Sequence, residues 1–369
     1  MPQYSMRSHE RKHVSMSRFL PDRFTMMLVA TVIIASLLPV SGELADYFGI
    51  ATKCAIALLF FLHGARLSRD VVIAGVLHWR LHLVILLVTF GLFPLLGVAL
   101  GYIPQEILPA PLYMGVLFLC VLPSTVQSSI AFTSMAGGNV PAAVCAASAS
   151  NILGMFLTPV LVGFLFTVGG HGGGFSLDAF LQIFLQLLLP FILGQLLQPW
   201  IGDWIRARKS LLAPVDRGSI LMVVYLAFSE AVVEGIWNQF TLRDIGVVIG
   251  IDILLLATVL VITMFGSRLV GFKKEDEITI TFCGSKKSLA SGVPMAGAIF
   301  AGQSIGAIVL PLMLFHQIQL MACAVIAQRY ARKTQADEKA KAVTKAKPEE
   351  TATPAEAVVP PEQTKTALQ

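Results

Sequence analysis

The chain has 369 residues, of which 56% are hydrophobic and 13% are charged, and its mean hydropathy is +0.76. Average soluble domains carry about a quarter of their residues as charged ones, so this composition excludes a soluble globular protein and indicates a polytopic membrane protein. The net charge of +5 comes from Lys and Arg residues in separate connecting segments, and it does not indicate nucleic-acid binding.

The chain contains ten apolar runs of the length that a membrane-spanning helix needs, about 20 residues. They lie near 24–40, 49–68, 81–103, 110–136, 139–169, 176–201, 217–236, 244–270, 275–300 and 303–328. Helices are expected because each satisfies its own backbone hydrogen bonds in lipid. The predicted organisation is a basic segment at 1–23, an all-α ten-helix domain at 24–330 and a disordered, Ala-, Lys-, Glu- and Pro-rich tail at 331–369.

The basic residues of the connections predict the orientation of the chain in the membrane. If the N-terminus is cytoplasmic, the connections on that side carry Arg66, Arg69, Arg80, Arg206, Arg208, Lys209, Arg217, Arg268, Lys273, Lys274, Arg329, Arg332 and Lys333. The opposite ends carry Lys53 and Arg243. This bias predicts an integral protein of the inner or plasma membrane with both termini in the cytoplasm.

Polar residues interrupt the fourth and the ninth runs. The fourth contains "PSTVQSS" from Pro123 onward, and the ninth contains "CGSKKS" at 283–288. The segments that follow are similar, "SSIAFTSMAGG" and "KSLASGVPMAG". Each break lies in the fourth span of a five-span half, which predicts two inverted repeats, about 24–169 and 176–328, with a binding site where the broken helices meet.

Charged side chains are rare inside the apolar runs, where each costs on the order of 2.5–3.5 kcal/mol. The predicted substrate-site residues are Gln127, Ser128, Ser129, Asn139, Lys286, Lys287, His316 and Gln317. A lysine beside the N-terminal end of a half-helix that begins at Ser288 favours an anionic substrate. Lys286 is expected to face the site and Lys287 to point away from it; in the alternative, one of them forms a buried ion pair with Glu230 or Asp252.

Transport would need an ion gradient, because the sequence has no nucleotide-binding loop and no metal-ligand or catalytic motif. No cofactor and no enzyme activity are expected. Glu230, Asp252 and Lys286 are the candidates for coupling to protons, although Asp252 is equally well interpreted as a packing contact. His316 is interpreted as a hydrogen-bonded packing residue rather than a proton relay.

At "AGGNV" (136–140), Thr158-Pro159, "FCGSKKSLASGVPM" (282–295) and "FHQ" (315–317) the chain resembles the bile acid:sodium symporter (SBF-like) superfamily. It is most similar to the branch of YfeH-type bacterial proteins and solute carrier family 10 member 7. The resemblance covers about residues 24–330. It implies ten helices in two inverted five-helix repeats, with helices 4 and 9 broken and crossing, and a panel that moves against a core.

In the sodium-coupled members of that superfamily, side chains at the crossing bind two sodium ions. The ligand positions fall here on Ser129, Ile130, Ala143, Ala147, Phe282 and Lys286. An ammonium group at one of these positions would repel sodium. The resemblance therefore implies a secondary transporter of a small organic anion in which the sodium sites are not retained and Lys286 replaces a sodium ligand.

Two function classes remain open on the sequence. The first is the transporter, with a small organic anion and the lipid bilayer as its partners and with a proton or sodium as the undecided coupling ion. The alternative is a membrane regulator or ligand sensor that has the transporter fold but does not move its ligand. The sequence indicates neither the substrate's identity nor the oligomeric state.

Overall fold

The computed structural model describes residues 23–66, 78–168, 184–233, 235, 240–300 and 305–345, and the regular secondary structure in these ranges is helical. The helices are α1 (Arg23–Leu37), α2 (Glu43–Arg66), α3 (Trp79–Tyr102), α4 (Ala110–Val121), α5 (Gln127–Met135), α6 (Val140–Val168), α7 (Leu189–Ala207), α8 (Lys209–Val233), α9 (Leu242–Leu269), α10 (Lys274–Gly284), α11 (Leu289–Ile299) and α12 (Ile305–Lys345). A π-helical turn, Phe184–Leu188, leads into α7, and another, Val88–Leu92, lies inside α3.

Six helical segments of the described chain are long and apolar enough to cross a membrane. They are Glu43–Arg66, Trp79–Tyr102, Val140–Phe166, Leu185–Ala207, Leu242–Leu269 and Ile305–Lys333. Shorter apolar helices lie at Met26–Leu37 and Ala110–Val121. The chain is therefore an all-helical polytopic membrane protein.

Two of the apolar runs are each divided between two helices. α4 ends before Leu122, which is extended (φ −74°, ψ 154°), as is usual for a residue that precedes proline. α10 ends at Gly284, and α11 begins after Ser288, whose hydroxyl accepts a hydrogen bond from the Ser291 N–H at 3.2 Å. Two short stretches, 122–126 and 285–288, thus break the helices; we call them the first and the second break.

The helices pack in two groups. In one group, α2 lies against α7 and α8, and α1 lies against α8. In the other, α4 packs on α12 and α6, and α10 packs on α3, α5, α6 and α9. The groups meet where α8 packs directly on α12 and where α11 contacts both α8 and α12.

Glycines bring α2 and α7 close together. A Cβ at Gly64 would collide with the Phe191 carbonyl oxygen, and a Cβ at Gly194 would collide with the Phe61 carbonyl oxygen. The two helix backbones are therefore in direct contact, which a larger residue at either glycine would prevent.

The ends of the chain differ in how far they are described. The basic segment predicted at 1–23 and the junction between the predicted repeats lie almost entirely outside the described residues. α12 continues to Lys345, through the first part of the segment for which the sequence predicts disorder. Its residues there are mostly Ala, Lys and Glu, which are strong helix formers; residues 346–369 lie outside the described part.

Candidate functional site

The two breaks are in direct contact. The Ser288 N–H donates to the Pro123 carbonyl oxygen at 2.9 Å. The Ser124 hydroxyl donates to the Cys283 carbonyl at 2.5 Å, and the Ser129 hydroxyl donates to the Phe282 carbonyl at 3.0 Å. Hydroxyls of the first break and α5 therefore bind the C-terminal carbonyls of α10, which no helical N–H can reach.

Lys287 is completely buried and binds the C-terminal end of α4. Its Nζ donates to the carbonyl oxygens of Thr89 at 2.8 Å, Cys120 at 2.8 Å and Leu122 at 2.7 Å. The same nitrogen lies 4.1 Å from the centre of the Phe93 ring. All three donors of the ammonium group are thus satisfied by main-chain oxygens, and an aromatic face adds to the stabilisation of its charge.

The three carbonyls that bind Lys287 are free because of local backbone structure. Cys120 and Leu122 lie at the C-terminal end of α4, where the helix no longer supplies donors. Thr89 lies in the π turn of α3, where Phe93 N–H reaches back five residues to Val88. The next residue in that pattern is Pro94, which has no N–H to give to the Thr89 carbonyl.

Other groups complete the polar structure of the breaks. The Thr158 hydroxyl donates to the Val121 carbonyl at 2.8 Å. The Gln319 side chain makes two hydrogen bonds of 2.9 Å to the backbone N–H and carbonyl of Lys287, and its amide nitrogen lies 2.9 Å from His316 Nδ1. Gln319 is buried and fixes the second break to α12. The sequence shows Gln319 only as a polar residue of the last span, because no local pattern indicates which backbone groups it binds.

Lys286 is as deeply buried as Lys287 but is bound quite differently. Its Nζ lies 3.9 Å from the centre of the Phe132 ring and 5.6 Å from that of Phe282. Among the described residues it has no hydrogen-bond partner. Aromatic faces attract a cation, but they do not replace the three hydrogen bonds of an ammonium group. The donors of Lys286 therefore remain unused in the described structure.

The remaining predicted site residues are spread over several elements. Gln127 and Ser128 begin α5 beside the first break, and the Ser128 hydroxyl bonds to Thr125 at 2.8 Å. His316 and Gln317 lie on α12, half-buried. Asn139 lies at the far end of α10, where its amide donates to Asp276 at 2.9 Å and its oxygen accepts from the Ala142 N–H. The structure thus places Gln127, Ser128, Ser129 and both lysines at the breaks and links His316 to them through Gln319, whereas Gln317 lies on α12 and Asn139 precedes α6.

The two acidic residues occupy different surroundings. Asp252, on α9, is completely buried, and within the described chain neither of its oxygens has a hydrogen-bond partner. Glu230, on α8, lines a cavity of about 380 Å³ with Asp46, Lys53 and Gly297. This cavity is lined by α2, α8, α11 and the first residue of α12. Within the described ranges, neither Lys286 nor Lys287 forms a hydrogen bond or salt bridge with a carboxylate. The alternative expectation of a buried ion pair is therefore not observed there.

Comparison with known proteins shows the family of the chain. A model of the SBF-like CPA transporter family matches residues 22–332, which is most of the chain. The chain belongs to this family. It is 56% identical over 331 residues to an uncharacterized Pseudomonas aeruginosa protein, covering 89% of this chain and 98% of the other. It is 54% identical over 324 residues to Escherichia coli YfeH, named as a candidate symporter, covering 87% and 97%.

More distant SBF-like relatives are eukaryotic. The chain is 28% identical over 275 residues to the rat sodium/bile acid cotransporter 7, covering 74% of this chain and 80% of that one. The relatives named for a function are transporters or symporters, not enzymes, and the resemblance to the bile acid:sodium symporter superfamily is thus confirmed.

The positions that the SBF-like resemblance assigns to sodium ligands carry few side-chain oxygens. Ile130, Ala143 and Ala147 have none, and the Ser129 hydroxyl donates to a main-chain carbonyl. At the position of Lys286 an ammonium group would repel a sodium ion. Within the described residues there is also no cluster of three or more His, Cys, Asp or Glu side chains suited to a metal ion.

Proposed function

We propose that the chain is a secondary active transporter that moves a small organic anion across the bacterial inner membrane. The proposed architecture is ten spans in two inverted five-helix halves with both termini in the cytoplasm. The two mutually bonded breaks support it, since α4–α5 and α10–α11 occupy matching places in the order of helices. Broken helices at matching places of inverted halves are typical of transporter binding sites.

The observation that carries the proposal is the unbonded ammonium group of Lys286. It belongs to the second break, which precedes α11, and its Nζ lies against the Phe132 ring of α5. An anion placed there would receive hydrogen bonds from a group that otherwise has none. The proposed substrate site comprises Lys286 with Gln127, Ser128 and Ser129, and movement of the α1, α2, α7 and α8 group against the remaining helices would expose it to each side in turn.

Coupling is proposed to be independent of sodium, because Lys286 and apolar residues occupy the positions of the sodium ligands. Protons remain as the candidate coupling ion. Asp252, buried without a hydrogen-bond partner among the described residues, is the carboxylate best placed to gain and lose a proton, and Glu230 lies beside the cavity between the two helix groups.

Purified protein screened by thermal shift against carboxylates, sulfonates and taurocholate tests the anion site. We expect at least one anion to raise the melting temperature of the native protein and of Lys273→Ala, which removes an exposed lysine, but not that of Lys286→Ala. An equal shift in all three proteins would refute Lys286 as the anion-binding group.

Counterflow in liposomes then separates the two function classes. A transporter exchanges labelled for unlabelled anion across the bilayer, so preloaded vesicles accumulate the label. Binding without counterflow would favour the regulator or sensor instead.

A further inference from the structure

Lys287 Nζ lies at a place built to hold a cation. Three main-chain carbonyl oxygens converge on it at 2.7–2.8 Å. Oxygens arranged in this way bind alkali cations in other membrane proteins, because carbonyl dipoles replace the water shell of the ion. Two of the three oxygens belong to the C-terminal end of α4, the partially negative end of that helix.

We infer that Lys287 is a resident cation: its ammonium group fills a carbonyl-lined cation site formed by the first break and the π turn of α3, so that no inorganic cation binds there. The ammonium provides three donors, and the site provides three acceptors. Lys287 and Thr89 are 198 residues apart in the sequence. The hydrogen bond between them therefore also fixes α3 to the second break.

Lys286 shows that burial alone does not produce this arrangement. It is adjacent in sequence and equally buried, yet no carbonyl binds its Nζ in the described structure. The two lysines therefore have separate roles: Lys287 stabilises the negative end of a half-helix, whereas Lys286 keeps its donors free. From the sequence we expected Lys286 to replace a sodium ligand, whereas the ammonium group that binds carbonyl oxygens is that of Lys287.

The inference deepens the proposed function, and what it implies for coupling rests on that function. If the cation is covalently part of the chain, it cannot be released on the other side of the membrane with each cycle, and a sodium gradient cannot act through this site. The cation site itself can be tested without any transport.

Chemical rescue provides the test. Lys287→Ala removes the equivalent of an n-propylammonium ion and leaves the carbonyls in place. We expect the full-length protein in detergent to lose on the order of 5 °C in melting temperature. n-Propylammonium or sodium chloride, compared with choline chloride at equal ionic strength, should restore most of that loss. Lys286→Ala is the matched control and should show no such selective recovery, because it leaves no carbonyl-lined space.

Failure of both n-propylammonium and sodium to stabilise Lys287→Ala above choline would overturn the inference, as would equal recovery of Lys286→Ala. If Lys287→Ala does not fold, the native protein decides: equal melting temperatures in sodium and choline support a filled site, and selective stabilisation by sodium contradicts it. If n-propylammonium or sodium stabilises Lys287→Ala but the protein shows no anion counterflow, the cation site is supported and only the transporter proposal is contradicted.

Discussion

At the scale of single residues, three buried charged groups in the interior differ in what they bind. Lys287 makes three hydrogen bonds through Nζ, whereas in the described structure Lys286 and Asp252 make none through their charged groups. A buried charge without a partner is costly, and proteins retain such groups inside membranes mainly for function. Ligand and coupling chemistry are therefore expected at Lys286 and Asp252.

Substitution of Asp252 should separate stability from function. Asp252→Asn loses no hydrogen bond, so the free energy of unfolding should fall by less than about 0.5 kcal/mol or rise. Proton-driven uptake should be lost if Asp252 is the coupling group. Thermal unfolding in detergent and pH-gradient uptake in liposomes measure the two effects.

Glu277 is the control for a bonded buried carboxylate. It accepts hydrogen bonds from Arg268, Lys274 and Tyr330 at 2.8–2.9 Å, so Glu277→Gln should cost about 1.5–3 kcal/mol. Equal losses of unfolding free energy in Asp252→Asn and Glu277→Gln would show that Asp252 also has a hydrogen-bond partner.

At the scale of elements, the breaks could be predicted from the sequence, whereas their bonding could not. Pro123 and the run of polar residues in each span indicate where a helix must end. The identity of the lysine that binds α4 depends on the Thr89 carbonyl, which a π turn and Pro94 leave free. That combination involves three distant segments, and no local pattern reports it.

The α2–α7 contact gives a prediction at this scale. Gly64→Ala and Gly194→Ala place a Cβ against the backbone of the other helix, and each should cost about 1–3 kcal/mol. Gly250→Ala, on α9, is the matched control: its Cβ meets no atom within 4 Å, and it should be neutral or stabilising by up to about 1 kcal/mol. Thermal unfolding of the three variants measures the difference; indistinguishable melting temperatures would contradict the close packing.

At the scale of the whole molecule, two helix groups meet along α11 and where α8 packs on α12, beside the cavity lined by Glu230 and Lys53. The all-helical membrane class follows from composition alone, because apolar runs of this length leave few alternatives. Asn139 shows the limit of such reasoning: no local pattern indicates that its side chain joins the start of α6 to Asp276 on α10. Sequence spacing does not reveal which polar residues serve packing.

The central claim is that this SBF-like protein moves an organic anion without sodium, because a lysine of the chain itself occupies the cation site at the breaks. Uptake by reconstituted liposomes tests it most directly, with the anion that gives the largest thermal shift and with an inward gradient of either sodium or choline. We predict equal initial rates in the two gradients. Uptake that occurs in the sodium gradient and is absent in choline would contradict the account.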